Sequence, residues 1–247
     1  MSCEKAGRLK RALVTGGAVR VGRAIVLELA RSSFDVAIHY GTSRDEAEEV
    51  AGAARAMGVR AMTVCADLTS GREIHAMFDE VTGRFGGLDA LVNNAAVFGR
   101  TPPSEMNEAD FDHHVDINLK APYLCSVEAF KAMGKAGGCI VNVSDVAGGR
   151  PFSNFVPYCV SKAGLDMLTR STARAFAPHV RVNAVAPGTV LFRDDEDEST
   201  RLKVVSRIPR GRVGDPEDVA RLVRFLCLEA DHITGAVIPV DGGRSLA

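Results

Sequence analysis

The chain has 247 residues, 46% of them hydrophobic, with a formal net charge of −1 and a pI of about 6.6. Such a chain can bury one large core, and it carries neither the basic excess of a nucleic-acid binder nor the polybasic tail of a membrane-surface protein. The six cysteines (Cys3, Cys65, Cys125, Cys139, Cys159 and Cys227) have no metal-ligand or Cys-x-x-Cys spacing, residues 1–5 lack the apolar stretch of a secretory signal, and no apolar run could span a membrane, so a metal-free, cytoplasmic protein is expected.

Short apolar runs then alternate with longer amphipathic ones. A strand over 12–15 is followed by a helix over 20–31, a strand over 36–40 by a helix over 44–57, and a strand over 61–66 by a helix over 71–85. The pattern continues with a strand at 90–93, a helix at 109–133, a strand at 139–144, a helix at 158–177 and a strand at 181–186. An acidic run, Asp194-Asp195-Glu196-Asp197-Glu198, precedes a short segment at 199–206; it reads as a solvated helix start or as part of a mobile lid over about 187–206. A helix at 216–229 and a strand at 236–240 complete the chain. Regular β–α alternation predicts an α/β fold: one doubly wound, Rossmann-type domain over 1–247, with a parallel seven-stranded sheet and helices on both faces.

The first strand runs into Thr15-Gly16-Gly17-Ala18-Val19-Arg20-Val21-Gly22 before a helix starts. Glycines there allow a tight turn and close approach of a pyrophosphate, whose charge meets the free N–H groups of the helix. Gly16, Arg20, Val21 and Gly22 are therefore candidate dinucleotide contacts. The second strand ends in Tyr40-Gly41-Thr42-Ser43-Arg44, without the acid that would bind a ribose 2′-hydroxyl. Tyr40, Thr42, Ser43 and Arg44 suit a 2′-phosphate instead, with Arg20 adding charge, so NADPH is the expected cofactor; Arg44 also reads as a solvated first residue of a helix. Asp67 and Leu68 after the third strand, and Asn94 and Ala95 after the fourth, complete the adenine and central parts of this site, although Asn93 and Asn94 also suit an ordinary turn.

Tyr158 and Lys162 stand four apart on a predicted helix and so share a face. A free phenol has a pKa near 10, and a neighbouring ammonium is expected to lower it. At this point nearly the whole chain resembles the short-chain dehydrogenase/reductase family. The matching segments are Thr15–Gly22, Asp67-Leu68, Asn93-Asn94-Ala95, Asn118, Tyr158 with Lys162, Pro187-Gly188 and Val240-Asp241-Gly242-Gly243. The resemblance implies hydride transfer from a nicotinamide, with Tyr158 as acid, Lys162 holding the nicotinamide ribose and Asn118 supporting a water-linked proton relay. It also implies Pro187 and Gly188 as cofactor contacts, a lid after the sixth strand with Leu191 and Phe192 touching substrate, and a homotetramer.

Two departures narrow the resemblance to the pteridine reductase branch. Arg20 stands where the family usually has glycine, and Asp145 where it usually has a catalytic serine, thirteen residues before the tyrosine. Phe98 matches the aromatic residue that stacks on the pterin in that branch, whereas Ala96 departs from its frequent serine. A carboxylate would repel the oxyanion of a ketone reduction but accept the N–H donors of a reduced pterin. Arg20, Phe98, Asp145, Tyr158, Leu191 and Phe192 are therefore the candidate substrate contacts, for a small-molecule pterin, with Asp145, Tyr158, Lys162 and Asn118 as the catalytic set. Phe98 also reads as a core residue and Asp145 as a turn-capping acid. Ser144 is a rival for the missing serine, although neighbours in a strand point to opposite faces. Two further readings stand beside this one: a carbonyl reductase for a ketoacyl or related substrate, and a non-catalytic dinucleotide sensor.

Overall fold

The computed structural model describes residues 10–192 and 197–247. Cys3, the segment 1–5 and the acids Asp194, Asp195 and Glu196 lie outside the described residues. In chain order the elements are β1 (Lys10–Val14), α1 (Arg20–Arg31), β2 (Phe34–Tyr40), α2 (Arg44–Ala56), β3 (Ala61–Cys65), α3 (Gly71–Phe85), β4 (Ala90–Asn93) and α4 (Glu108–Val115). They continue with α5 (Ala121–Met133), β5 (Gly138–Val143), α6 (Val156–Phe176), β6 (Val180–Pro187), α7 (Glu198–Val205), α8 (Pro216–Leu228) and β7 (Val237–Val240).

All pairings are parallel, and the strands form one seven-stranded sheet in the order β3-β2-β1-β4-β5-β6-β7. Strands buried on both faces need continuous apolar runs, and Ala12, Leu13 and Val14 supply one. Ala12 and Val14 pack with α1, α2 and α8, whereas Leu13 packs on the other side with α3 and α5. The strand order reverses between β1 and β4, and in such sheets ligands bind beyond the carboxyl ends of the strands at that reversal.

Helix α3 spans the predicted residues because its ends are written into the sequence. The Ser70 side chain accepts from the Glu73 N–H, and Gly86 closes the helix in the left-handed region at φ 75°. The long helix expected over 109–133 is instead three pieces: α4, a π-turn over Asp116–Lys120, and α5. Pro122 has no N–H to give the Asn118 carbonyl one turn earlier, and the backbone widens there rather than continuing as a regular α-helix. Asp197 starts α7 by accepting from the Thr200 N–H at 2.9 Å, in keeping with a solvated acidic helix start. Among the described residues no helix is long and apolar enough to cross a membrane, and no cluster of His, Cys, Asp or Glu could hold a metal ion.

Candidate active site

A cleft of about 1450 Å³ runs along the carboxyl ends of the strands. Its dinucleotide end is built around the loop from β1 to α1. Gly16 sits at φ +60°, and a Cβ on it would lie 3.0 Å from Ala95 Cα. A Cβ on Gly22 would fall 2.0 Å from the Gly16 carbonyl oxygen, so only glycine allows the turn to close. Val19, at the N-cap of α1, gives the helix no side-chain cap, and Val19, Arg20, Val21 and Gly22 line the cleft. Uncapped N–H groups beside a glycine cradle suit a pyrophosphate, so the residues present fit a dinucleotide.

The loop is held from both sides. The Gly16 N–H donates to His39 Nδ1 at 3.1 Å. That bond makes Nδ1 the acceptor, so Nε2 carries the proton and donates to the Ala66 carbonyl at 3.0 Å. Burial lowers the His39 pKa, more than its bond to Ala66 raises it, keeping the ring neutral as this bridge requires. On the other side Asn94 Nδ2 donates to the carbonyls of Thr15 and Gly16 at 3.0 and 2.9 Å, while the Thr15 hydroxyl accepts from the Asn94 and Ala95 N–H groups. His39 was not among the expected site residues. Its neighbour Tyr40 was, but successive strand residues face opposite ways: His39 lines the cleft, while Tyr40 packs against the core between the sheet, α1 and α2.

Gly41 and Thr42 also line the cleft, but Ser43 and Arg44 do not; they begin α2, with Ser43 at its N-cap and Arg44 exposed. Asp67 and Leu68, expected at the adenine end, line the cleft beyond β3. The Asp67 carboxylate accepts from the N–H and hydroxyl of Thr69, both at 2.8 Å, and these bonds hold its pKa below the usual value. Asn93 lies behind the wall, turned into the core: its amide nitrogen donates to Asn142 Oδ1 at 2.8 Å and to the Ser126 hydroxyl.

The chemical end is organised by α6. Tyr158, Ser161, Lys162, Leu165, Asp166 and Thr169 form its buried stripe at helical spacing. The Tyr158 phenol donates to Asp145 Oδ2 at 2.8 Å, and Asp145 Oδ1 accepts from the Ala147 N–H at 2.7 Å. Asp145 therefore caps the turn after β5 with one oxygen and engages the tyrosine with the other. Ser144 is committed elsewhere: its hydroxyl donates to Asp166 Oδ1 at 2.5 Å. The alternation of neighbours beyond β5 thus separates the two side chains, as expected.

Lys162 Nζ donates to the Val143 carbonyl at 2.9 Å and lies 5.8 Å from the Tyr158 ring centroid. Burial lowers its pKa to about 8, against the opposing pull of Asp145 and Asp166. The expected lowering of the Tyr158 pKa by this ammonium is not found. Burial and the Asp145 carboxylate together push the phenol well above its ordinary value, and burial also raises Asp145. Asn118, expected in a relay, is fully buried behind the cleft: it accepts from the Val97 N–H at 2.8 Å and donates to the Val97 carbonyl and the Ser161 hydroxyl.

Phe98 is 50% exposed, which rules out a role confined to the core. It stacks on Phe155 at 4.7 Å between centroids and 11° between planes, and meets Tyr158 edge-on at 4.8 Å. Pro187, Gly188, Leu191 and Phe192 also line the cleft. Arg150, Arg207 and Arg244, which no motif had singled out, line the same end.

The comparisons agree with this geometry. The family model described as enoyl-(acyl carrier protein) reductase matches residues 17–245. The chain is 38% identical over 239 residues to 3-oxoacyl-[acyl-carrier-protein] reductase FabG of Staphylococcus aureus, covering 95% of this chain and 97% of that one. Among solved structures it is similar to FolM alternative dihydrofolate reductase 1 of Brucella canis, complexed with NADP, with a TM-score of 0.88, 36% identity and coverage of 96% and 95%. It is also similar to a blue fluorescent protein from a metagenomic library in complex with NADPH, with a TM-score of 0.90, 30% identity and coverage of 95% and 97%. Sequence, sheet order and cradle thus converge: the chain belongs to the short-chain dehydrogenase/reductase family and is an oxidoreductase that works with a nicotinamide dinucleotide.

Proposed function

We propose that the protein reduces pterins with NADPH, taking a dihydropterin to its tetrahydro form and accepting dihydrofolate as a substrate of the same class. The observation that carries this reading is the Asp145 carboxylate 2.8 Å from the Tyr158 phenol. A ketone reductase must stabilise an oxyanion as the carbonyl carbon is reduced, and a carboxylate at that point opposes it. A pterin presents ring and exocyclic N–H groups, for which the same carboxylate is an acceptor. Phe98, stacked on Phe155, offers a flat aromatic face for a flat heterocycle.

NADPH supplies a hydride when bound. Gly16, Val21, Gly22 and Asn94 would frame its pyrophosphate, and Thr42, which lines the cleft where no carboxylate follows β2 directly, would donate to a 2′-phosphate. The NADP- and NADPH-bound relatives support that choice of cofactor. Tyr158 holds its proton firmly, because Asp145 and burial both favour the phenol, and releases it to the substrate nitrogen as that nitrogen gains electron density. Lys162 fixes the carbonyl end of β5 and keeps positive charge beneath the tyrosine. The Brucella canis relative, by its description an alternative dihydrofolate reductase, supports the same reading.

A second reading, reduction of a 3-oxoacyl thioester, is favoured by the identity with the Staphylococcus aureus 3-oxoacyl reductase. NADPH oxidation with dihydrobiopterin, dihydromonapterin, dihydrofolate and 3-oxoacyl thioesters separates the two. Turnover of a thioester with none of any pterin overturns the pterin reading.

A further inference from the structure

Given the pterin reading, we infer that Arg150, Arg207 and Arg244 form an anion subsite at the substrate mouth of the cleft, which recognises a carboxylate on the far end of the substrate and so favours a pterin with an acidic tail over one with a neutral hydroxyalkyl side chain.

Three elements bring these arginines together. Arg150 follows the turn after β5, Arg207 follows α7, and Arg244 lies beyond β7; all three line the cleft at the end shared with Phe152, Phe155 and Tyr158. Arg244 is half-buried and held in place. Its guanidinium lies 5.3 Å over the Phe152 ring and donates to the Thr189 hydroxyl. The backbone turn that presents it is tied by the Asp241 carboxylate, which accepts from the N–H groups of Gly243 and Ser245 at 2.9 and 2.7 Å. Arg150 Nη1 donates to the Arg244 carbonyl at 3.1 Å, which joins the first and third members.

None of the three has a carboxylate within salt-bridge distance among the described residues. The acids that line the cleft are otherwise engaged. Asp145 holds Tyr158 and Ala147, Asp197 holds Ser199 and Thr200, and Asp67 and Glu73 lie beyond β3. Burial lowers the Arg244 pKa; the Asp145 carboxylate and, more weakly, Asp241 oppose that lowering, while Arg207 and Arg150 add to it through like-charge repulsion. Like charges gathered on the wall of a cleft, with no carboxylate in salt-bridge contact among the described residues, favour an anion. Guanidinium groups suit a planar carboxylate in particular. A ring seated on Phe98 beside Tyr158 would direct its side chain outward toward this rim.

The test is equilibrium binding in the presence of NADPH, followed by ligand fluorescence, for the intact protein and for the double variant Arg150→Met/Arg207→Met. Both positions are exposed, so the fold is not at risk. The dissociation constant for dihydrofolate is expected to rise about tenfold, as losing charge-assisted hydrogen bonds implies, while that for dihydrobiopterin is unchanged. Raising the salt concentration should erode the dihydrofolate preference of the intact protein and not that of the variant. Equal loss for both ligands, or for neither, overturns the subsite. Arginine-dependent binding of a 3-oxoacyl coenzyme A with no pterin binding overturns both the carboxylate assignment and the pterin reading. Pterin turnover that is insensitive to both arginines leaves that reading standing without the subsite.

Discussion

Asp145 holds Tyr158 through a single carboxylate oxygen, 2.8 Å from the phenol, while its other oxygen caps the turn after β5. The cap fixes the carboxylate, and the carboxylate fixes the proton on the tyrosine. In this arrangement the phenol is an acid in waiting and not a ready base, which suits reduction over oxidation.

That relationship predicts how Tyr158 titrates. The chain has 3 tyrosines, so Tyr40→Phe/Tyr123→Phe leaves Tyr158 as the only phenol. Ultraviolet titration of this variant should show no phenolate until well above pH 10, since burial and Asp145 both raise the value. Phenolate absorbance appearing near pH 8 would remove the argument.

Lys162 sets an alkaline limit. A free lysine keeps its proton to 10.5, but burial brings this one down to about 8. Its charge is present below that pH and lost above it, so turnover is expected to fall as pH rises through about 8. Lys162→Met should lower kcat by about a hundredfold, the scale for losing one electrostatic partner at a reacting centre, and abolish the alkaline limb. A limb that survives in the variant belongs to another group.

Gly22 tests the dinucleotide cradle separately from the chemistry. Because an added Cβ would meet the Gly16 carbonyl at 2.0 Å, Gly22→Ala must push the loop open or unfold it. The expected result is loss of NADPH fluorescence enhancement, with a stability cost of about 1–3 kcal/mol by chemical denaturation. Unaltered NADPH affinity would show that the cofactor lies elsewhere.

Much of this was readable in the chain. α1 and α3 were bounded to the residue, α3 because Ser70 and Gly86 mark its ends, and the alternation of strands with helices implied a doubly wound sheet. Helical spacing led to Tyr158 and Lys162, and the resemblance to short-chain dehydrogenases/reductases to Asp145, and the fold brings the three together. The site features that escaped did so for reasons of geometry. His39 rather than Tyr40 faces the cleft because strand phase decides, and either side chain suits a strand. The π-turn at Asp116–Lys120 breaks a helix whose apolar pattern reads through it. The Asn118 side chain is spent on Val97 and Ser161, a use that no local pattern announces. Arg150, Arg207 and Arg244 are far apart in sequence and meet only when β5, α7 and β7 end at one rim.

The account rests on the charge of Asp145, and the most direct test is the ratio of kcat/KM for dihydrobiopterin to that for a 3-oxoacyl thioester, measured in the natural protein and in Asp145→Ser. The ratio is expected to fall by about tenfold or more in the variant, as a hydroxyl replaces the carboxylate that accepts from ring nitrogen and opposes an oxyanion. A ratio that stays the same would contradict the account and leave Asp145 as a cap on its turn.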